Sequence, residues 1–398
     1  MSRLLPLAGE VVSPASLPPA FARKGFRPFF LLAAVAACAI VPVWLLVLFG
    51  HVKADFHGDA ATWHAHEMLF GFAVAVIAGF LLTAVGNWTG QETAVGGKLL
   101  ALAGLWLVGR LAPVLPRIAM AADLAFLPAL AILLARPLIA TRNRRNFVML
   151  GVLAALFAAN LTMHLDARGL VAAGTGHQAA GIALDVIVLL CLLIGGRVIP
   201  MFTRNATGEA AIGSPPALDV VVAGAMLSVT VVDVVHPGGT LAAAAAGVSA
   251  LATLVRLGYW RSWRTLRQPL LWILHAGIVW IAVGLLLRAA PLFGIAIPSS
   301  IATHALTVGA IGSLTLGMMA RVALGHTGRP LSLPKPMALG FVLVTLAAAV
   351  RVGGPLLSPT LYAPALVASG VLWTAAFALY VLTYTPILLR ARVDGKPG

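Results

Sequence analysis

Two histidines and a glutamate interrupt an apolar stretch of the chain that reads WHAHEMLFGF over residues 63–72. Neutral imidazole is a common protein ligand of iron and copper ions. His64 and His66 are two residues apart, which places them about 200° apart around a helix. The spacing therefore predicts separate partners for the two rings, and a chelating pair is the weaker interpretation. Glu67 either orients a ligand histidine or favours the positive end of its helix.

The elements that position these residues are predicted membrane helices. The 398 residues are 61% hydrophobic and 10% charged, with a mean hydropathy of +1.00, whereas soluble domains carry about a quarter charged residues. Twelve apolar runs are each long enough to cross a hydrocarbon core about 30 Å thick. They cover residues 29–50, 66–87, 97–115, 118–136, 147–166, 178–200, 217–235, 240–259, 269–289, 299–320, 336–355 and 362–390. The sequence thus predicts an all-α polytopic membrane protein, with a cytoplasmic segment 1–28, one transmembrane domain 29–390 and a cytoplasmic tail 391–398.

The net charge of +15 is an orientation signal. With the N-terminus inside, 21 of the 27 Lys and Arg residues fall in or beside inner loops. The other six are Lys53, Arg110, Arg117, Arg168, Arg288 and Arg351. This asymmetry follows the positive-inside rule and predicts two cytoplasmic termini. The lipid bilayer is the expected environment, and no nucleic-acid partner is predicted.

With this topology, several histidines fall at one depth toward the outer face. His64 and His66 open the second helix, His164 closes the fifth, His177 opens the sixth, and His304 lies about one turn inside the tenth. Each of these histidines, considered alone, is explained as an interfacial side chain that hydrogen-bonds to water or to a carbonyl group. As a group they indicate a site, because polar residues at membrane depth are costly. We predict His64, His66 and His304 as metal ligands, with His177 and His164 as further candidates.

Charged residues share this outer third of the bundle. Asp123, Asp185 and Asp233 are predicted buried carboxylates, and Arg110 and Arg288 are predicted buried guanidinium groups. One interpretation is that these acids and arginines pair with one another. The other is that Arg110 or Arg288 holds the propionates of a haem while an aspartate relays protons.

The chain also contains an internal repeat. At an offset of 238 residues and without gaps, His66 falls on His304 and Gly71 on Gly309. A weaker middle copy starts at His177, so we predict three pseudo-repeats of four helices, approximately 27–144, 145–266 and 267–390. Three arcs of four helices resemble the architecture of the haem–copper oxidase catalytic subunit, in which metals sit between arcs.

Several motifs together resemble the NnrS family over nearly the whole chain. They are GFRPFFLLAA, WHAHEMLFGF, GFLLTAVGNWTG, GGRVIPMFTRN, PLLWILHAGIVW and HALTVGAIG followed by LGHTGRPL. The family is known as bacterial inner-membrane proteins that contain haem and copper and are associated with denitrification and the response to nitric oxide. The resemblance implies a haem- and copper-containing protein of that membrane that protects against nitrosative stress.

The resemblance extends to the histidines of these motifs: His64, His66, His275, His304 and His326. His275 and His326 are predicted on the inner side, opposite the others. No CxxCH motif occurs, so a haem would be bound non-covalently.

The resemblance specifies neither an electron donor nor a turnover reaction. A haem–copper oxidoreductase acting on nitric oxide and a protein that only binds nitric oxide therefore stay as alternatives. A transporter for a metal ion or small solute, with a histidine-lined pathway, is the alternative from another functional class.

Overall fold

A computed structural model describes residues 18–52, 59–112 and 114–396, so Lys53 and much of the predicted N-terminal segment lie outside the described residues. Within these ranges the chain is helical and contains no strand. In addition to short 3₁₀ turns, it forms twelve helices. They are α1 (Phe26–Leu48), α2 (Ala60–Thr89), α3 (Gly97–Gly109), α4 (Pro116–Ala140), α5 (Val148–Asp166), α6 (Thr175–Thr207), α7 (Pro216–Val235), α8 (Gly239–Tyr259), α9 (Pro269–Ala289), α10 (Ser299–His326), α11 (Lys335–Leu357) and α12 (Tyr362–Leu389).

Eleven of these helices are long and apolar enough to span a membrane, which confirms the predicted polytopic α-helical class. The exception is α3, whose 13 residues span about 20 Å and end at Gly109, so the predicted span 97–115 was too long. Gly109 packs closely on α4, because a Cβ there would lie 3.2 Å from the Cα of Asp123. The helix therefore stops where Arg110 turns toward an acidic side chain of its neighbour.

The helices form a ring that is closed by contact between α1 and α12. Three of the longest helices, α2, α6 and α10, are largely buried, and α6 contacts both of the others. Each of these is the second helix of one predicted four-helix unit. The arrangement agrees with three pseudo-repeats, although the proposed boundaries between the units stay a prediction.

Helices α2 and α10 share an uncommon backbone feature. Each contains a seven-residue π-helical segment, Glu67–Ala73 in α2 and Ala305–Ile311 in α10. The two segments are 238 residues apart at both ends, the same offset that superimposes His66 on His304. π-Helical segments are rare and occur frequently at functional sites. In both helices the residue immediately before the segment is the aligned histidine.

Candidate metal centre

Helix α2 begins earlier than predicted, which changes the interpretation of Glu67. Asp59 is the N-cap, and its side chain accepts hydrogen bonds from the backbone N–H groups of Ala61 and Thr62, both at 2.8 Å. Glu67 therefore lies about two turns inside the helix. The helix dipole acts mainly within the first turn, so the suggestion that Glu67 serves the helix end was wrong.

A group of buried polar side chains joins α2, α4 and α5, together with the residue that follows α3. We call it the His66 cluster, and its members are His66, Glu67, Arg110, Asp123, Asn160 and His164. All six are buried or nearly so. Asp185, Asp233, Arg288 and His304 belong to other helices, α6, α7, α9 and α10, and lie toward the same side of the bundle. We call this side the His66 end.

Both ring nitrogens of His66 face acceptor oxygens. Nδ1 lies 3.1 Å from Oε1 of Glu67, while Nε2 lies 3.0 Å from Oδ1 of Asn160 and 3.3 Å from Oδ2 of Asp123. The amide orientation of Asn160 follows from its Nδ2, which donates to Oδ2 of Asp123 at 2.7 Å. A neutral imidazole has only one N–H. The ring therefore needs either a second proton or a cation at one nitrogen.

Asp123 is the point on which the cluster converges. Its Oδ2 lies 3.0 Å from Nε2 of His164 and accepts the hydrogen bond from Asn160. The ligand atoms of His66, Asp123 and His164 all lie within 4.8 Å of one another, and no other such group occurs in the described ranges. Two imidazoles and one carboxylate form a donor set that suits copper, iron or zinc. A cavity of about 160 Å³ adjoins these three side chains.

Arg110 supports the cluster. Its guanidinium donates to Oε2 of Glu67 at 2.8 Å and also pairs with Oδ1 of Asp123. The π-helical segment leaves room for this contact at Gly71, where a Cβ would lie 3.0 Å from Nη1 of Arg110. The carbonyl of Gly71 in turn accepts a hydrogen bond from Nε1 of Trp106 at 3.1 Å. Arg110 thus pairs with acids, one of the two arrangements expected from the sequence.

His64 faces a different side of α2 from His66, in agreement with their spacing. Its ring stacks on Trp44 of α1 with centroids 4.1 Å apart. It lies in the same region of the bundle as His304 and Arg351. Nδ1 of His304 lies 2.5 Å from the carbonyl oxygen of Ser300, to which it donates. The structure therefore separates the predicted ligands into His66 with His164, and His64 with His304.

Arg288 also pairs with acids, because it contacts Asp185 at 2.7 Å and Asp233 at the His66 end. Asp185 has no exposed surface. This ion-pair group and the exposed His177 line a second, larger cavity of about 670 Å³ between α6, α7, α8, α9 and α10. His177 does not join the His66 cluster.

His275 and His326 lie away from the His66 cluster, at the opposite end of the bundle. Both ring nitrogens of His275 are engaged by hydroxyl groups, Ser262 at 2.9 Å and Thr203 at 3.0 Å. The carbonyl of His326 accepts a hydrogen bond from Arg392, which also pairs with Asp394. The hydrogen bonds that Arg392 donates to Asp394 hold the pKa of the Asp394 carboxyl well below its usual range. Both histidines thus have structural contacts, and neither belongs to a group of three potential metal ligands among the residues that the structure describes.

The sequence matches a protein family over nearly its whole length. The model described as NnrS protein matches residues 20–392, nearly the whole chain. The chain belongs to the NnrS family. None of the curated proteins compared with it matches. In this NnrS protein, the buried group that can hold a metal consists of His66, Asp123 and His164.

Sequence reasoning did not place Asp123 among the metal ligands and did not single out Asn160. Asp123 was recognised as a buried acid of the outer third, which was the available signal. Asn160 lies four residues before His164 on α5, so one helix face carries both side chains toward Asp123.

Proposed function

We propose that this NnrS protein binds copper at the His66 cluster and haem near His304, interacts with nitric oxide, and protects a bacterial inner membrane system against nitrosative stress. The observation that carries the proposal is the convergence of His66, His164 and Asp123 on one point inside a membrane bundle. Family membership supplies the link to haem, copper and nitric oxide. Both termini are proposed to lie in the cytoplasm, with the His66 end toward the outer face.

The residues of the His66 cluster fit a copper ion. Imidazole nitrogen suits copper, and the second nitrogen of a ligand histidine is commonly held by a carboxylate. Glu67 fulfils that second role at Nδ1 of His66, leaving Nε2 for a metal. Nε2 also lies close to two acceptor oxygens, and lone pairs that face one another repel. A cation bound at Nε2 would remove this repulsion.

The charge of the cluster favours a cation as well. Two carboxylates, Glu67 and Asp123, and one guanidinium, Arg110, leave one net negative charge when both histidines are neutral. An unbalanced buried charge is strongly unfavourable at low dielectric. A bound copper(I) ion would neutralise it, and copper supplies a binding position for nitric oxide and one-electron chemistry. Asn160 and Arg110 hold Asp123 in position, so the ligand geometry is set before the metal arrives.

Haem does not fit beside His66, because the adjoining cavity of about 160 Å³ is smaller than the roughly 300–1,000 Å³ usual for cofactor pockets. His304 would be the histidine that holds a haem, since its Nδ1–H is held by the Ser300 carbonyl and its Nε2 would be left to bind the iron. His64 beside it has a buried Nδ1 without a hydrogen-bond partner. These two histidines would hold haem, while the small cavity would admit a diatomic ligand to the copper.

Purified full-length protein tests the proposal through its metal content and optical spectrum. We expect copper and a Soret band, with copper lost on His164→Ala and the Soret band lost on His304→Ala. His236→Ala is the matched control, because His236 is exposed at the end of α7. A colourless, metal-free preparation after growth with copper and haem precursor would contradict the proposal.

The larger cavity favours a second candidate function, a transporter for a metal ion or small solute. Its lining includes His177, Asp185, Asp233 and Arg288, as expected for a polar pathway. Uptake of radioactive copper into proteoliposomes would support transport, with Asp185→Asn reducing the rate. Copper that binds with fixed stoichiometry and never crosses the bilayer would exclude it.

A further inference from the structure

Arg351 lacks the carboxylate partners that Arg110 and Arg288 have. It lies near the end of α11, with 3% of its surface exposed, and forms no ion pair with any acid of the described ranges. Its guanidinium lies over the ring of Tyr362, with Cζ 5.1 Å from the centroid. A buried guanidinium without an anion is unfavourable in a membrane bundle.

Several buried nitrogens around Arg351 have no hydrogen-bond partner. They are Nε and Nη1 of Arg351, Nδ1 of His64 and Nε1 of Trp44. The rings of Trp44 and His64 stack on each other, and His64 lies in the same region of the bundle as Arg351. Buried polar groups are nearly always hydrogen-bonded, so a set of unpaired donors in one region points to a ligand that accepts hydrogen bonds. The excess positive charge indicates an anion.

Comparison with the first four-helix unit shows what is missing from the third. His304 aligns with His66. Arg351 lies six residues before the end of α11, the third helix of its unit, and Arg110 directly follows α3, the third helix of the first unit. The position of Glu67 is taken by Ala305 at the same offset of 238. Helix α12, the counterpart of the helix that carries Asp123, contains no acidic residue. The third unit keeps the histidine and the arginine but has neither carboxylate.

We infer that Arg351, with His64 and Trp44 beside His304, binds an anionic oxygen ligand that comes from outside the chain. The ligand chemistry is a carboxylate or a small oxyanion that accepts hydrogen bonds from the guanidinium. It has two sources, a propionate of the proposed haem or a free anion such as nitrite. The propionate source rests on the proposed function, whereas the free-anion source does not.

The test uses full-length protein in detergent, with haem and copper quantified in every sample. Calorimetric titration of haem-free protein with formate or nitrite should show saturable binding, and Arg351→Gln should weaken it at least tenfold. Arg117→Gln is the control, since Arg117 is an exposed arginine of α4. In case Arg351→Gln fails to fold, Tyr362→Glu places a carboxylate beside Arg351 on a residue that is 44% exposed. This variant should weaken anion binding to the same extent.

Two results support the inference and identify the source of the anion. If haem loading abolishes the binding of formate and Arg351→Gln loses haem, the ligand is a propionate. If haem-loaded protein still binds nitrite through Arg351, the ligand is a free anion. Haem-free protein that binds neither anion, together with Arg351→Gln that takes up haem as tightly as the parent, overturns the inference. Arg351→Gln should leave the copper content of the His66 cluster unchanged. Failure of the proposed copper site and failure of anion binding at Arg351 are therefore distinguishable.

Discussion

Nε2 of His66 lies 3.3 Å from Oδ2 of Asp123, although these two residues are 57 positions apart and belong to different helices. Both atoms carry lone pairs when His66 donates its single N–H to Glu67. Such a contact is favourable only when a proton or a metal cation lies between the two atoms. We propose that a metal cation occupies this position.

Asp123→Asn should remove the anionic ligand while keeping the shape of the side chain. We expect copper affinity to fall about 100-fold or more, because loss of a ligand exceeds the roughly 10–100-fold effect of an outer-shell change. Competition with a copper chelator measures the affinity. Asp219→Asn is the control, since Asp219 is partly exposed and lies far from the cluster. Equal affinity of Asp123→Asn and the control would show that Asp123 is not a ligand.

Glu67→Gln should act on the metal through His66. The amide retains a hydrogen-bond acceptor at Nδ1 but removes the charge that pairs with Arg110. Copper affinity should fall about 10–100-fold, with the copper stoichiometry unchanged at saturation. The chelator competition applies here too, and Glu92→Gln is the control because Glu92 pairs with Lys24 away from the cluster. A complete loss of copper at saturation would mean that Glu67 is itself a ligand.

Gly71→Ala should disturb the cluster without altering any polar side chain. The added Cβ would lie 3.0 Å from Nη1 of Arg110 and 3.1 Å from Oε2 of Glu67, so this ion pair must shift. We expect a lower melting temperature and weaker copper binding. Gly104→Ala is the matched control, since a Cβ there meets no atom within 4 Å and alanine favours a helix. Identical behaviour of the two variants would contradict the described packing of the π-helical segment.

Asp59→Ala should destabilise the start of α2. The substitution removes the two backbone hydrogen bonds that cap the helix, which typically costs about 1 kcal/mol. Thermal unfolding in detergent should show a lower melting temperature for Asp59→Ala, and Asp59→Asn should remain close to the parent. If both substitutions lower the melting temperature equally, the charge of Asp59 matters more than its capping role.

Hydropathy predicted most of the fold, because eleven of the twelve helices satisfy a length and composition rule that the sequence displays directly. It failed at the ends of helices. The start of α2 at Ala60 depends on the Asp59 cap, and the end of α3 at Gly109 depends on packing against Asp123. The predicted pairing of acids with arginines is confirmed, since Arg110 pairs with Glu67 and Asp123 in the folded chain.

The candidate site was only partly predictable. The spacing of His64 and His66 correctly indicated different partners, since helix geometry alone sets the angle between them. Which residues complete each site depends on which helices become neighbours. For this reason His164, a secondary candidate by sequence, joins His66, whereas His304 lies in the same region as His64. Asn160 carries no distinctive signal in an apolar helix until its partner on α4 is known.

Anaerobic purification, with copper quantification and spectroscopy of the copper site, tests whether the His66 cluster binds copper. We expect about one copper per chain at the His66 cluster, with imidazole nitrogen coordination in the electron paramagnetic resonance spectrum of the oxidised ion. That signal should disappear in the double variant His66→Ala/His164→Ala and persist in His275→Ala. A copper signal that is unchanged in the double variant, or a folded parent protein that binds no copper, would contradict copper binding at the His66 cluster.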